Sequence, residues 1–237
     1  GFDITANPSE SGGIEEDEFI KFIKAISNED KKDKPFLDEE ILNKYKEHTH
    51  KYFLDRGYNE DILRFFEVGF CSDASDELYN RVTIPWRDVN GNLVGIIGRD
   101  VTDRSDNKYK TKYGSNKGDH LFNLNNAQYY AEDGLIVCED EKSVMRLWQF
   151  GYKNAIALGN DKLKKRKWLL RKYTPKAILA FDNDKSGEKA RNKAIQELIP
   201  VSEIEVINLP DGYKDIAEIR KKKIFDKCWH NRDKEVI

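Results

Sequence analysis

Three carboxylates in this sequence stand where a chain can hold a divalent ion. Glu139 closes the apolar run LIVC, and Asp182 closes the run AILAF with Asp184 two residues further on. If the two runs are neighbouring strands of one sheet, all three side chains gather at one edge. Like charges so gathered repel and raise one another's pKa. A bound Mg²⁺ relieves that repulsion, because hard cations take oxygen ligands and keep waters that substrate phosphates can replace. An Asp-x-Asp pair suits such an ion, since both side chains can turn toward it as the chain leaves its strand. Each piece alone also has a plainer reading: acidic residues at strand ends are common, and a lone Asp-x-Asp more often caps a helix or lies in a solvated loop. What separates the readings is the order of the pieces: strand with Glu, helix, strand, helix, strand with Asp-x-Asp, helix.

The elements that must position these residues follow from the patterning. GLIVCE (134–139), NAIAL (154–158), KAILAFD (176–182) and EIEVINL (203–209) are short apolar runs, and they predict strands. Between them EKSVMRLWQFG, DKLKKRKWLLRKY and KSGEKARNKAIQELI predict amphipathic helices, the first closed by Gly151. Strands alternating with helices imply a parallel sheet with both faces covered. Right-handed crossovers then bring the strand carboxyl ends to one edge, where α/β folds hold ligands.

Upstream the texture differs. RVTIPWRDVNGNLVGIIGRDV (81–101) places two apolar runs about Asn90-Gly91, a strong signal for a tight hairpin. A Lys-rich stretch with interleaved tyrosines, KYKTKYGSNKG (108–118), comes next. Asp38 predicts the start of a helix running through Ile41, Leu42, Tyr45, Tyr52 and Phe53 to Gly57, and Asn59 caps a short helix ending near Phe66. Residues 1–13 read as a tail, and helical spacing follows between Ile14 and Ser27.

Composition excludes more than it assigns. The 43 acidic and 41 basic residues leave a net charge of -2, so any nucleic-acid contact must come from local patches. Cys71, Cys138 and Cys228 are far apart and odd in number, which argues against a zinc cluster or a disulfide scaffold. His48, His50, His120 and His230 show no metal spacing. No apolar run reaches membrane-spanning length and no signal peptide is visible, so a soluble cytoplasmic protein is expected. Gly1 in place of an initiator Met suggests a fragment. The basic runs LKKRKWLLRK (163–172) and IRKKK (219–223) are expected as solvated helix faces, and Trp148 and Trp168 as core.

LIVCEDEKSVMRLWQFGYKNAIALGN followed by AILAFDNDKSGEKARNKA resembles a Toprim domain, shared by DnaG-type primases, topoisomerases and some nucleases. The family's strand-end Glu and later Asp-x-Asp fall on Glu139, Asp182 and Asp184. LPDGYKDIAE (209–218) resembles the segment after the fourth strand: Asp215 matches one acidic position, while Ala217 stands where a second Asp is frequent. Asp140 departs from the family's usual Gly and is expected to face solvent. The hairpin region and KYKTKYGSNKGDHLFNLNNA resemble the amino-terminal part of the DnaG-type RNA polymerase domain, and RGYNEDILRFFEVGF (56–70) its preceding helical segment. In family order the resemblance runs over residues 36–225.

That resemblance implies an α/β protein with four parts: a tail and linker helix (1–34), a mixed α+β lobe with a basic groove (35–130), a Toprim lobe with a Rossmann-like parallel sheet flanked by helices (131–225), and a tail (226–237). It implies Mg²⁺ or Mn²⁺ on Glu139, Asp182, Asp184 and Asp215, and no zinc site in this stretch. Arg81, Arg99, Lys108 and Lys117 match basic positions of the family's template and nucleotide groove, where Tyr109 and Tyr113 would stack bases. The implied activity is metal-dependent synthesis of short RNA primers on single-stranded DNA from ribonucleoside triphosphates. The implied partner is a replicative helicase reached through segments absent here, in a bacterial cell and for a host or phage protein. The rival readings are the primase half of a phage helicase-primase and a Toprim nuclease or topoisomerase-like protein. A non-catalytic nucleic-acid binder is disfavoured, because three converging carboxylates repel phosphate unless an ion sits among them.

Overall fold

In the computed structural model the chain is described over residues 36–46, 50–102, 107–112, 117–159, 163 and 166–235. The tail and linker helix expected over 1–34, and Tyr113, lie outside the described residues. Asn90-Gly91 turns the chain as expected, with Gly91 at φ 91°, a conformation that glycine adopts without steric cost. This turn joins two strands of a four-stranded antiparallel sheet ordered β1 (Gly69–Cys71), β2 (Arg81–Arg87), β3 (Leu93–Asp100) and β4 (Tyr109–Lys112). The Lys-rich stretch is thus partly a strand: β4 pairs with β3 and alternates exposed and half-buried residues.

The helix expected from Asp38 to Gly57 is not continuous. Asp38 does cap, accepting from Glu40 N, but it opens a 3₁₀ turn over Glu39–Tyr45. Lys46 then bridges to Phe70 in β1, which takes the backbone out of helical geometry. A short helix, α1 (Lys51–Leu54), and α2 (Glu60–Phe65), capped by Asn59, complete the segment.

Four parallel strands and one antiparallel strand form the second sheet, in the order β6 (Ala155–Ala157), β5 (Leu135–Cys138), β7 (Lys176–Leu179), β8 (Glu203–Val206) and β9 (Asp233–Glu235). A short α3 (Leu124–Ala127) leads into it. Its crossovers carry α4 (Glu141–Gln149), α5 (Arg166–Tyr173) and α6 (Lys185–Leu198). All four residues of β5 are buried, as expected for a strand covered on both faces. Beyond residue 225 the chain is not a tail: α7 (Lys222–His230) buries Phe225, and β9 closes the sheet edge against β8. Among the described residues no helix is long and apolar enough to cross a membrane.

The two sheets are distinct, but their core is shared. One apolar cluster takes Tyr52, Val82 and Trp86 from the first lobe and Ile136, Val144 and Ile207 from the second. Helix α4 lies at the junction, buried at Val144, Met145 and Leu147. Arg146 within it is fully buried and donates to the carbonyls of Gly57 (2.8 Å), Arg56 (2.6 Å) and Ala217 (3.2 Å), with its guanidinium 4.0 Å from the Tyr58 ring. Trp86 donates from Nε1 to Glu141 Oε1 at 2.9 Å, a buried bond from the first sheet to the start of α4. Trp148 and Trp168 are core residues as expected. The basic run 163–172 is not wholly a solvated face, since Arg166 is buried and donates to the carbonyls of His120 and Leu158. All three cysteines are free and buried.

Candidate active site

From β5 the chain crosses to β6 on one side, and from β7 it crosses to β8 on the other. That reversal opens a crevice between the carboxyl ends of β5 and β7, the position where doubly wound sheets bind ligands. Glu139 follows β5 directly and Asp182 follows β7, and the two ends are stitched together: Asp182 N donates to Glu139 Oε1 at 2.8 Å.

Burial pushes both carboxyls up. Asp182 is raised to about 7 by burial first, then by the charges of Glu139, Asp140 and Asp215. Glu139 is raised by burial, with Asp140 and Asp184 adding to it, against the opposing hydrogen bond from Asp182 N. The Asp182 carboxylate has no hydrogen-bond donor among the described residues. Two partly buried carboxylates therefore face the crevice with acceptor oxygens to spare.

The neighbouring acids are arranged differently, and all three in the same way. Asp140 accepts from Ser143 N (2.9 Å) at the start of α4 and pairs with Lys142 Nζ at 3.0 Å. Asp184 accepts from Ser186 N (2.9 Å) and Gly187 N (2.8 Å) at the start of α6 and pairs with Lys214 Nζ at 3.1 Å. Asp215 accepts from Glu218 N (2.9 Å) at a 3₁₀ turn and lies 3.6 Å from Lys142 Nζ. In each, Oδ1 caps a helical turn and Oδ2 meets a lysine. The backbone donors, Gly187 N foremost, and then Lys214 hold Asp184 below the usual carboxylate range, whereas burial lifts Asp215 against the pull of Lys142. Asp140 does not simply face solvent as expected; it is half-buried and engaged on both oxygens.

Sequence reasoning missed three contributors to this edge. Lys142 and Lys214 carried no spacing signal. Gly187 did: a glycine inside a helical pattern signals close backbone approach. A Cβ there would lie 2.1 Å from the Asp182 carbonyl oxygen and 2.9 Å from Asp182 Cβ, so the first turn of α6 packs directly on Asp182 only because the side chain is absent. Tyr58 adds a tether, donating from its hydroxyl to the Lys142 carbonyl at 2.9 Å.

The basic residues of the first lobe fall on β2, β3 and the approach to β4. Arg81 spends its guanidinium on backbone, donating to the carbonyls of Lys108 (3.2 Å) and Asn107 (3.1 Å), so it shapes the strand connection. Arg99 lies over the rings of Tyr109 (5.2 Å) and Tyr52 (5.7 Å). Lys108 is exposed. Tyr109 has its hydroxyl pKa raised by burial, with Lys142, Asp140 and Glu141 among the charges acting on it, which sets β4 beside the carboxylate edge. Lys117 begins the 3₁₀ turn Lys117–Asp119, and its side chain lies outside the described residues.

Among the described residues no three His, Cys, Asp or Glu side chains form a ready cage for an ion. A hard cation such as Mg²⁺ does not require one, since it takes one or two carboxylates and fills its shell with water and phosphate oxygens. Glu139 and Asp182, both oxygen donors with open lone pairs and mutual repulsion to relieve, fit that demand.

Comparison with known proteins agrees with this fold. The family model described as "Toprim domain" matches residues 133–208. A DNA primase of Clostridium acetobutylicum is 30% identical over 210 residues, covering 73% of this chain and 35% of the relative. A DNA primase of Aquifex aeolicus is 34% identical over 145 residues, covering 58% of this chain and 29% of the relative. The chain thus spans about a third of the length of these curated relatives. The crystal structure of the Aquifex aeolicus primase zinc-binding and RNA polymerase domains superposes with a TM-score of 0.76 at 25% identity, over 83% of this chain and 60% of that one. A DnaG primase catalytic domain bound to single-stranded DNA gives a TM-score of 0.71 at 21% identity, over 83% of this chain and 77% of that one, a likeness of fold. Residues 133–208 match the Toprim domain family, and the chain is similar in sequence and in fold to the catalytic core of DnaG-type primases.

Proposed function

We propose that this chain is the catalytic core of a metal-dependent DNA primase that joins ribonucleotides on single-stranded DNA in the bacterial cytoplasm. The observation that carries the reading is the pair Glu139 and Asp182, stitched together at the switch point of the sheet with oxygens left open and Asp182 raised to about 7. Mg²⁺ or Mn²⁺ bound there would orient a nucleoside triphosphate and stabilise charge on the attacking and leaving oxygens. Glu139 and Asp182 would hold the ion, and Asp184 adds negative charge beside them. The 3′-hydroxyl of one nucleotide attacks the α-phosphorus of the next triphosphate; the new phosphodiester forms as the bond to pyrophosphate breaks.

The first lobe, 35–130, supplies the positive groove and the second, 131–225, the metal edge. Arg99, Lys108 and Lys117 neutralise phosphates of the template and the incoming nucleotide, with Arg81 holding the connection that presents them. Tyr109 offers a ring for base stacking, since it is part-exposed under Arg99. Helicase coupling would lie on other segments of the full protein. Incubation with Mg²⁺, labelled ribonucleotides and a single-stranded template tests the reading. Wild type should yield short RNA, Glu139→Gln and Asp182→Asn should not, and undiminished synthesis by either variant refutes the assignment. Degradation of the template without synthesis would instead establish a nuclease.

A further inference from the structure

Lys142 lies inside the acidic edge without belonging to it. Its ammonium is 3.0 Å from Asp140 Oδ2 and 3.6 Å from Asp215 Oδ2, and its side chain is only 19% exposed. Its backbone is fixed in the first turn of α4, where the Tyr58 hydroxyl holds its carbonyl. The other oxygens of Asp140 and Asp215 are already spent on capping. These two acids are therefore satisfied by protein groups alone, in contrast to Glu139 and Asp182.

We propose that Lys142 acts as a built-in cation that fills the Asp140–Asp215 half of the edge, so that the site takes one divalent ion, on Glu139 and Asp182, instead of two. An ion in the second half would have to displace an ammonium already paired with two carboxylates and screened from water. Burial works against the charge on Lys142, yet Asp140 and Asp215 keep it charged. Asp215 is on this view a partner of Lys142 and not a metal ligand. In two-ion sites for phosphoryl transfer, paired ions clamp the attacking and leaving oxygens. Here Lys142 would supply a fixed positive charge beside an ion held by Glu139 and Asp182, with no second binding step to complete the site.

The inference rests on the metal reading above, and counting ions separates the two. Titration with Mn²⁺, followed by the loss of the free-ion electron paramagnetic resonance signal, should give one tight ion per chain for wild type and for Lys142→Arg. It should give two for Lys142→Gln, where Asp140 and Asp215 lose their cation. Primer synthesis should fall in Lys142→Gln and return in Lys142→Arg. Two ions on wild type, or one on Lys142→Gln, overturns the role of Lys142. No ion on wild type overturns the metal reading itself, and this inference with it. Asp215→Asn, which keeps the lysine, guards against misfolding of Lys142→Gln: it should still bind one ion with wild-type affinity, and loss of that ion makes Asp215 a ligand and overturns the proposal.

Discussion

Replacing Asp182 by Asn should stabilise the metal-free protein while abolishing its response to Mg²⁺. An unfolded chain ionises this carboxyl near 3.8, whereas the fold holds it at about 7, through burial and then the charges of Glu139, Asp140 and Asp215. Between those values the unfolded state loses its proton while the folded state keeps it, so stability falls as pH rises through the window and the full cost applies above it. At ~1.4 kcal/mol per tenfold the ceiling is about 4 kcal/mol. The carboxylate is only partly buried, and water screens the repulsion, which leaves about 1–2 kcal/mol. For a chain of this size that is a rise in Tm of about 2–8 °C. Scanning calorimetry in EDTA at pH 8 should show the Asn variant melting above wild type, with the gap closing toward pH 4. Saturating Mg²⁺ should raise the wild-type Tm by mass action and leave the variant unmoved. A variant that melts below wild type in EDTA at pH 8, or one that Mg²⁺ stabilises equally, refutes the reasoning.

Gly187→Ala reverses an ordinary rule: Ala normally steadies a helix by up to about 1 kcal/mol over Gly, but here the new Cβ meets the Asp182 carbonyl at 2.1 Å. Urea unfolding should show a loss of about 1–3 kcal/mol, the usual cost of overpacking, together with weakened Mn²⁺ binding. Arg146→Leu strands three carbonyls from both lobes, so the urea midpoint should fall by the equivalent of about 3 kcal/mol or more, in one cooperative transition. Lys108→Ala should weaken single-stranded DNA binding alike for all sequences, and fluorescence anisotropy should find the slope of log K against log salt shallower by about 0.7. An unchanged slope removes Lys108 from the phosphate contacts.

The second sheet was readable because its parallel strands fall in short, largely apolar runs separated by amphipathic helices, whereas the all-charged β9 gave no such signal. Glu139 and Asp182 were legible for the same reason, since a charge that ends such a run must lie at the sheet's edge. The hairpin was announced by Asn90-Gly91. Elements defined by partners were harder to read. β4 has a surface-like composition and becomes a strand only by pairing with β3, while the break after Tyr45 depends on the bridge from Lys46 to Phe70. In α7, Ile224, Phe225 and Cys228 have helical spacing, but their lysine-rich flank suggested a solvated end; burial of Phe225 decided otherwise. Lys142 and Lys214 look like any surface lysine in the sequence. Their meaning comes from acids 2 to 73 residues away in the chain, which no local pattern reports.

Helix α4 has a consequence for how such a protein can be recombined. Its sequence lies wholly within the Toprim segment, yet Trp86 bonds to Glu141 at its start, and its Arg146 holds backbone at Arg56 and Gly57. A Toprim sheet excised at the apparent boundary and joined to another lobe would bring along a helix with a fully buried guanidinium and no cover for it. Each inherited combination of this sheet with a new neighbour must therefore include a fresh lid for α4, complete with carbonyls for residue 146 or an apolar side chain in its place. The unit expected to fold without redesign is the pair of lobes, and residue 146 is where a foreign junction would first betray itself.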